Sequence, residues 1–222
     1  MTIEPLTQVW VLFIASPDEA LLQQITRWHN GGSSQYRIND IIPVVGAGPP
    51  ELAPSWGLVR LEGPGQLTEE LPSSAEVPLI IFRGVTQHLH YTNAIQRQEL
   101  EARSRTEVEP SSETTAVLIP IGKSRQWWQL AQDQRQAHFH PGDNYQGHTA
   151  IGLRYVDRIF RKLYHSRYLN APTAYDFLTY FEFNSVYKND FNTLLNELRD
   201  STRNPEWAHV ELEYEIWMTK KG

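Results

Sequence analysis

The chain has 222 residues, 40% hydrophobic and 21% charged, which places it with globular proteins and excludes disordered, fibrous and membrane-embedded classes. Its formal charge of −6 argues against a general nucleic-acid-binding surface, which needs clustered lysine and arginine. Cysteine is absent, so disulfides and every thiolate-bound metal or cofactor are excluded, and any metal must rest on His, Asp, Glu or Tyr.

No apolar run approaches the ~18 residues of a membrane span, so no membrane partner is expected. The stretch Val9 to Ala15 lacks a basic leader and a small-residue cleavage site, which points to a cytoplasmic protein. Val9 to Ile14 is expected to be a strand, followed by a helix from Pro17-Asp18-Glu19 to His29. Further strands are expected near Ile41 to Val45, Trp56 to Glu62 and Pro78 to Val85. Gly46 to Pro54 and Gly63 to Ala75, rich in Pro, Gly and Ser, read as loops, and Gln87 to Arg105 has no assignable pattern.

The second half is clearer. Thr115-Ala116-Val117-Leu118-Ile119-Pro120-Ile121 reads as a buried strand. Ser124 then offers an N-cap to a helix from Arg125 to about Phe139, ended by Pro141-Gly142-Asp143-Asn144, and a loop reaches about Gly147. From Leu153 to Tyr168 a loose alternation predicts a long strand, with Ile159, Arg161, Leu163 and His165 on one face and Phe160, Lys162, Tyr164 and Ser166 on the other. Asn170-Ala171-Pro172-Thr173 turns the chain into a strand from Asp176 to Phe183. Asn184 or Ser185 caps a helix whose Phe191, Leu194, Leu195 and Leu198 form one stripe, and Ala208 to Met218 alternates as a last strand. The order β-α-β-β-α-β is ferredoxin-like, and the first half looks like a worn copy without an evident second helix. The fold class is therefore α+β, with an N-terminal half over 1–105 and a C-terminal half over 113–222.

Several residues invite chemistry. Arg154, Arg158, Arg161, Lys162 and Arg167 face one acid, Asp157, so this stretch either draws a small anion or pairs with acids elsewhere. His88-Leu89-His90 and His138-Phe139-His140 are H-x-H pairs that would align on a strand, without a third ligand at a recognisable spacing. His29 and His209 read as surface or helix-end residues. His148, in Gly147-His148-Thr149-Ala150, is by pattern alone either a hydrogen-bonded structural residue or a ligand.

In order, Leu118-Ile119-Pro120-Ile121-Gly122-Lys123-Ser124, Trp127-Trp128, His148-Thr149, Arg161-Lys162-Leu163-Tyr164-His165-Ser166, Asp176-Phe177-Leu178-Thr179-Tyr180-Phe181-Glu182 and Pro205-Glu206-Trp207 resemble the chlorite dismutase signature. Arg83-Gly84-Val85-Thr86 and Tyr91 extend the likeness upstream, while the first ~75 residues match poorly. The resemblance implies haem b held between His148 and Arg161, on two ferredoxin-like halves packed as an α+β barrel. Thirteen extended residues at ~3.3 Å each easily pass from one side of such a group to the other.

By the same resemblance His148 is the iron ligand and Glu206 accepts its remaining ring N–H. Lys123, near a propionate, and Trp127 line the haem edge, Tyr91 adds a propionate contact, and Trp128 belongs to the core or a subunit interface. Arg161 holds chlorite and retains hypochlorite during conversion to chloride and dioxygen. The last strand closing on Gly222, as in the shorter members, implies a homodimer. Ser104-Arg105-Thr106 stand where those members place a distal glutamine. The same fold houses coprohaem decarboxylases, which normally lack arginine at the position of Arg161, and non-catalytic haem binders or weak peroxidases.

Overall fold

The computed structural model describes residues 9–29, 31–48, 51–64, 71, 77–86, 98, 113–167, 169 and 173–221. Tyr91, the His88–His90 pair and Ser104–Thr106 lie outside them. The apolar run at the start forms β1 (Val9–Ser16), buried from Trp10 to Ser16, so it needs cover on both faces. One cover is α1 (Glu19–Trp28), whose N-terminus is capped by the Asp18 carboxylate accepting from the Ala20 and Leu21 N–H groups. Its Leu21, Leu22 and Ile25 pack on Leu12, Ile14, Val59 and Leu61. The other cover is the interior of a barrel.

The remaining strands are β2 (Gly32–Val45), β3 (Gly57–Pro64), β4 (Ile80–Thr86), β5 (Thr114–Lys123), β6 (Phe160–His165), β7 (Phe177–Asn184) and β8 (Val210–Lys220). Among the described residues the eight close into an antiparallel barrel in the order β1-β3-β2-β8-β5-β7-β6-β4, with β4 pairing back on β1. Each half contributes its fourth, first, third and second strands side by side, and the halves join through β2 with β8 and β4 with β6. Closure satisfies both edges that an open four-stranded sheet would leave exposed. The interior is filled from both halves, by Val11, Phe13, Tyr36, Leu58, Leu118, Tyr164, Tyr180 and Ile216 among others.

Three expectations change. β2 starts at Gly32, well before Ile41, because its first residues are polar and bulges between Ile38 and Asp40 and between Pro43 and Val45 break the alternation. The expected helix from Arg125 to about Phe139 is two short ones, α2 (Arg125–Gln129) and α3 (Gln132–Ala137). Leu130 and Ala131 are extended between them, and the Gln134 side chain accepts the Ala131 N–H, so the break needs neither glycine nor proline.

The expected long strand from Leu153 to Tyr168 is corrected most. Its region opens as α4 (Gly147–Leu153), continues through turns, and becomes β6 only at Phe160. The physical reason is that Ile151, Tyr155 and Ile159 recur every fourth residue and are all buried with Phe181, Phe191, Leu194 and Leu195. This helical spacing outweighs the loose alternation. Alternation holds only within β6, where Phe160 and Tyr164 join the barrel interior.

Behind β5 and β7 lies α5 (Lys188–Arg199), entered through a 3-10 turn at Ser185–Tyr187 whose cap is Asn184. Phe191 is fully buried there, with ring centroids 4.6 Å from Phe183, 5.1 Å from Phe181 and 5.4 Å from Trp217. Phe191→Ala is expected to cost ~3–5 kcal/mol in urea unfolding with an unchanged m-value. A loss under ~1 kcal/mol would contradict this packing.

Candidate functional site

The site is assembled where α4 meets the C-terminal end of β5. Gly147 begins α4 at φ +73, and a Cβ there would lie 2.5 Å from the His140 carbonyl oxygen, so only glycine fits. Backbone N–H groups of Gln146 and Gly147 both donate to the Arg203 carbonyl, and Thr149 N–H donates to that of Phe139. These bonds fix the helix start and with it His148.

His148 Nδ1 lies 2.7 Å from Glu206 Oε2, and Lys123 Nζ lies 2.6 Å from Glu206 Oε1. Glu206 sits on a 3-10 turn, Pro205–His209, and both it and Lys123 are buried. Burial opposes ionisation of Glu206, but Lys123 and His148 outweigh it and hold the carboxyl far below the usual carboxylate range. Burial first, and then the charge of Arg161, push the His148 pKa down against the opposing pull of Glu206. The imidazole is therefore neutral at pH 7. With a carboxylate as acceptor, Nδ1 carries the proton and Nε2 keeps its lone pair, without a partner among the described residues.

His148 and Arg161 line one cleft enclosing about 470 Å³, part of it open to solvent. Its walls include Ile119 and Ile121 of β5, Thr179 and Phe181 of β7, and Leu195 and Leu198 of α5. Arg161 belongs to the barrel's outer face and His148 to the helix side. The Arg161 guanidinium reaches towards Gly152 of α4 and lies 5.8 Å from the Phe181 ring centre. Its Nε is buried without a hydrogen bond, and among the described residues no carboxylate pairs with it. Burial lowers its pKa from an ordinary value so high that the group stays charged.

The two readings of the basic stretch are thus divided between its members. Arg154 pairs with Glu197 at 2.6 Å, Arg158 with Asp190 at 2.9 Å, Lys162 with Glu62 at 3.1 Å and Arg167 with Asp176 at 2.9 Å. Arg161 alone of the five is left with no acid, among the described residues. A half-buried cation whose Nε is out of water and unpaired carries part of the desolvation cost of a buried charge, and an anion entering the cleft would relieve it.

The other expected site residues fall around this pair. The Lys123 ammonium is taken by Glu206 and also lies 5.0 Å from the Trp127 ring centre. Trp127, 2% exposed, meets Phe139 edge-on, and Phe139 in turn meets His148. It therefore stands behind the histidine. Trp128 stacks on Phe177 and donates its indole N–H to Asp176, with Arg167 over its ring. Among the described residues no group of three or more His, Asp or Glu is arranged to hold a metal ion by itself.

Sequence reading missed the far end of the cleft. Glu213 and Glu215 alternate with core residues along β8, yet both are buried, and Arg199 at the end of α5 joins them at 2.5 and 2.7 Å. Burial pushes the Glu213 carboxyl up while Arg199 pulls it back. Asn204 donates to the Leu198 carbonyl at 2.7 Å, and its buried Oδ1 has no partner among the described residues. The basic residue closing a helix opposite a row of glutamates was the available signal.

Comparison with known proteins bears on this arrangement. The family model described as chlorite dismutase matches residues 70–219. A curated chlorite dismutase from Ideonella dechloratans is 31% identical over 116 residues, which is 52% of this chain but only 37% of that relative. A crystal structure of dimeric chlorite dismutases from Nitrobacter winogradskyi superposes with TM-score 0.65 at 27% identity, covering 93% of this chain and 99% of that one. A chlorite dismutase variant from Candidatus Nitrospira defluvii gives TM-score 0.69 at 20% identity, over 98% and 93% of the two chains, and supports the fold.

The geometry has a consequence for pH. Because the folded chain holds His148 below its ordinary protonation range, the unfolded chain takes up that proton first. The resulting stability is fully present above about pH 6.5 and is lost as pH falls from there towards the folded value. The chain without cofactor is expected to unfold at lower urea as pH drops from about 7 to about 5.5, and His148→Phe to flatten part of that slope. Equal slopes in both proteins would contradict the half-buried, neutral imidazole.

Proposed function

Because the chain belongs to the chlorite dismutase family, we propose that it binds haem b through His148 and converts chlorite to chloride and dioxygen. The observation that carries this reading is the pairing, in one cleft, of an imidazole with its lone pair free and a half-buried guanidinium with no counter-ion among the described residues. The donor set fits a porphyrin iron: one nitrogen ligand suffices when the macrocycle supplies the rest, so the lack of a three-residue metal cluster among the described residues is no obstacle.

When bound, the haem supplies the Lewis acidity and electron transfer that the protein's side chains lack. The chain's own residues orient, charge and dry the site. Glu206 accepts the Nδ1–H of His148, which fixes the ring's tautomer and direction and makes Nε2 a stronger donor. Lys123 keeps Glu206 ionised and accepting. Arg161 would offer planar, permanently charged donors to chlorite and, once one of its oxygen atoms had passed to the haem, would keep the remaining hypochlorite in the cleft. Ile119, Phe181, Leu195 and Leu198 exclude water, which strengthens the pull of Arg161 on either anion. Lys123 and Trp127 act through Glu206 and Phe139, and Tyr91, outside the described residues, is proposed from the resemblance alone as a contact to a propionate. Arg161 also separates this reading from coprohaem decarboxylation. Likeness to the dimeric Nitrobacter winogradskyi structure supports a homodimer.

Haem-loaded protein mixed with chlorite on an oxygen electrode is expected to release one O2 and one chloride per chlorite consumed. Arg161→Ala should keep its haem, lose ~10²-fold in kcat/KM and bleach sooner, because an anion is no longer held at the cleft. Haem binding with no oxygen release would reject chlorite as substrate. Unchanged turnover and bleaching in Arg161→Ala would reject the arginine's role.

A further inference from the structure

A second cluster of nitrogen ligands lies outside the cleft. Sequence spacing pairs His138 with His140, but the structure faces it instead with His209, from the end of the 3-10 turn that carries Glu206. The two ring centroids are 5.4 Å apart and the rings are inclined at 78°. Both also flank Trp127, at 5.6 and 5.4 Å between ring centres. Neither imidazole has a hydrogen-bond partner among the described residues, and both are half-buried, so a small ion can reach them.

We propose that His138 and His209 form a two-imidazole site for a divalent first-row transition-metal ion. Metal–nitrogen bonds of about 2.0–2.1 Å put each ring centre about 3.2 Å from the ion, so two imidazoles at a tetrahedral angle have centres about 5 Å apart. The observed 5.4 Å is close to that span, and adjacent positions on a tetragonal Cu2+, about 4.5 Å apart, need the two rings to close by about 1 Å. Burial depresses the protonation of both rings, aided at His138 by Lys123 and at His209 first by His138 and then by Lys123, with Glu206 opposing at each. Their lone pairs are therefore available at neutral pH. Among the described residues no carboxylate or third histidine completes the set, so water fills the remaining positions and Cu2+ binds ahead of Zn2+. Neither histidine lines the cleft, and the assignment is independent of haem binding.

The test is titration of the full chain, with and without haem, by Cu2+ and then by Zn2+. One Cu2+ per chain is expected, showing two nitrogen ligands by electron paramagnetic resonance and quenching part of the tryptophan emission through Trp127. His138→Gln and His209→Gln should each weaken binding at least ~10-fold, and the double variant no further, as expected when both ligate one ion. His140→Gln should bind as the parent does. Binding that survives His209→Gln with its two-nitrogen signal intact would overturn the proposal, as would equal loss in His140→Gln. Far-ultraviolet circular dichroism of each variant separates loss of the ligand from loss of fold.

Discussion

The carboxylate of Glu206, buried between the Lys123 ammonium and the His148 imidazole, is the interaction on which the site depends. Taking a carboxylate out of water costs several kcal/mol, and only close partners on both oxygens offset that cost. Here each oxygen has one, and each partner comes from a different element. The end of β5 brings Lys123, the start of α4 brings His148, and the turn before β8 brings the acid itself. The ion pair thus fixes the mutual position of three segments as well as the charge of one ring. Its geometry is also directional: Nδ1 is committed to the protein, so Nε2 is the nitrogen left for the cleft.

The barrel makes that arrangement possible by separating two kinds of polarity. Inside one end, Arg60, Glu62, Glu182 and Lys220 meet the hydroxyls of Tyr36, Tyr164 and Tyr180. Within this cluster Arg60 pairs with Glu62 and Lys220 with Glu182. On the outer face of β5, β6 and β7 the polar groups are fewer, and one of them, Arg161, is left unmatched among the described residues. A barrel interior that keeps its charges paired among themselves leaves the outer cation in place without neutralising it. That difference makes the outer face the place for a ligand.

Much of the fold was legible because burial leaves a period in the residues. β1, β5, β7 and β8 were found near their observed bounds, and the stripe of Phe191, Leu194, Leu195 and Leu198 marked α5. Misreadings occurred where two signals competed. After His148 a short helix, a run of turns and a short strand together imitate weak alternation, and the spacing of Ile151, Tyr155 and Ile159 was the stronger clue. The break at Leu130 carries no breaking residue and depends on Gln134 bonding back to the chain. Of the site, the order of family-like segments named His148, Glu206, Lys123 and Arg161 together, and the structure gathers these four about one cleft. Ion pairs between distant segments, such as Arg199 with Glu213 and Glu215, and the facing of His138 by His209, leave no local period and became visible only in three dimensions.

The central claim is that His148 Nε2 ligates haem iron. Titration of the chain with ferric haem, followed in the Soret region, tests it most directly when His148→Ala is compared with the parent and imidazole is then added to both. The account predicts one tightly bound haem in the parent, loss of stable binding in His148→Ala, and partial restoration by imidazole. A His148→Ala protein with the same affinity and the same ferric spectrum as the parent would contradict it.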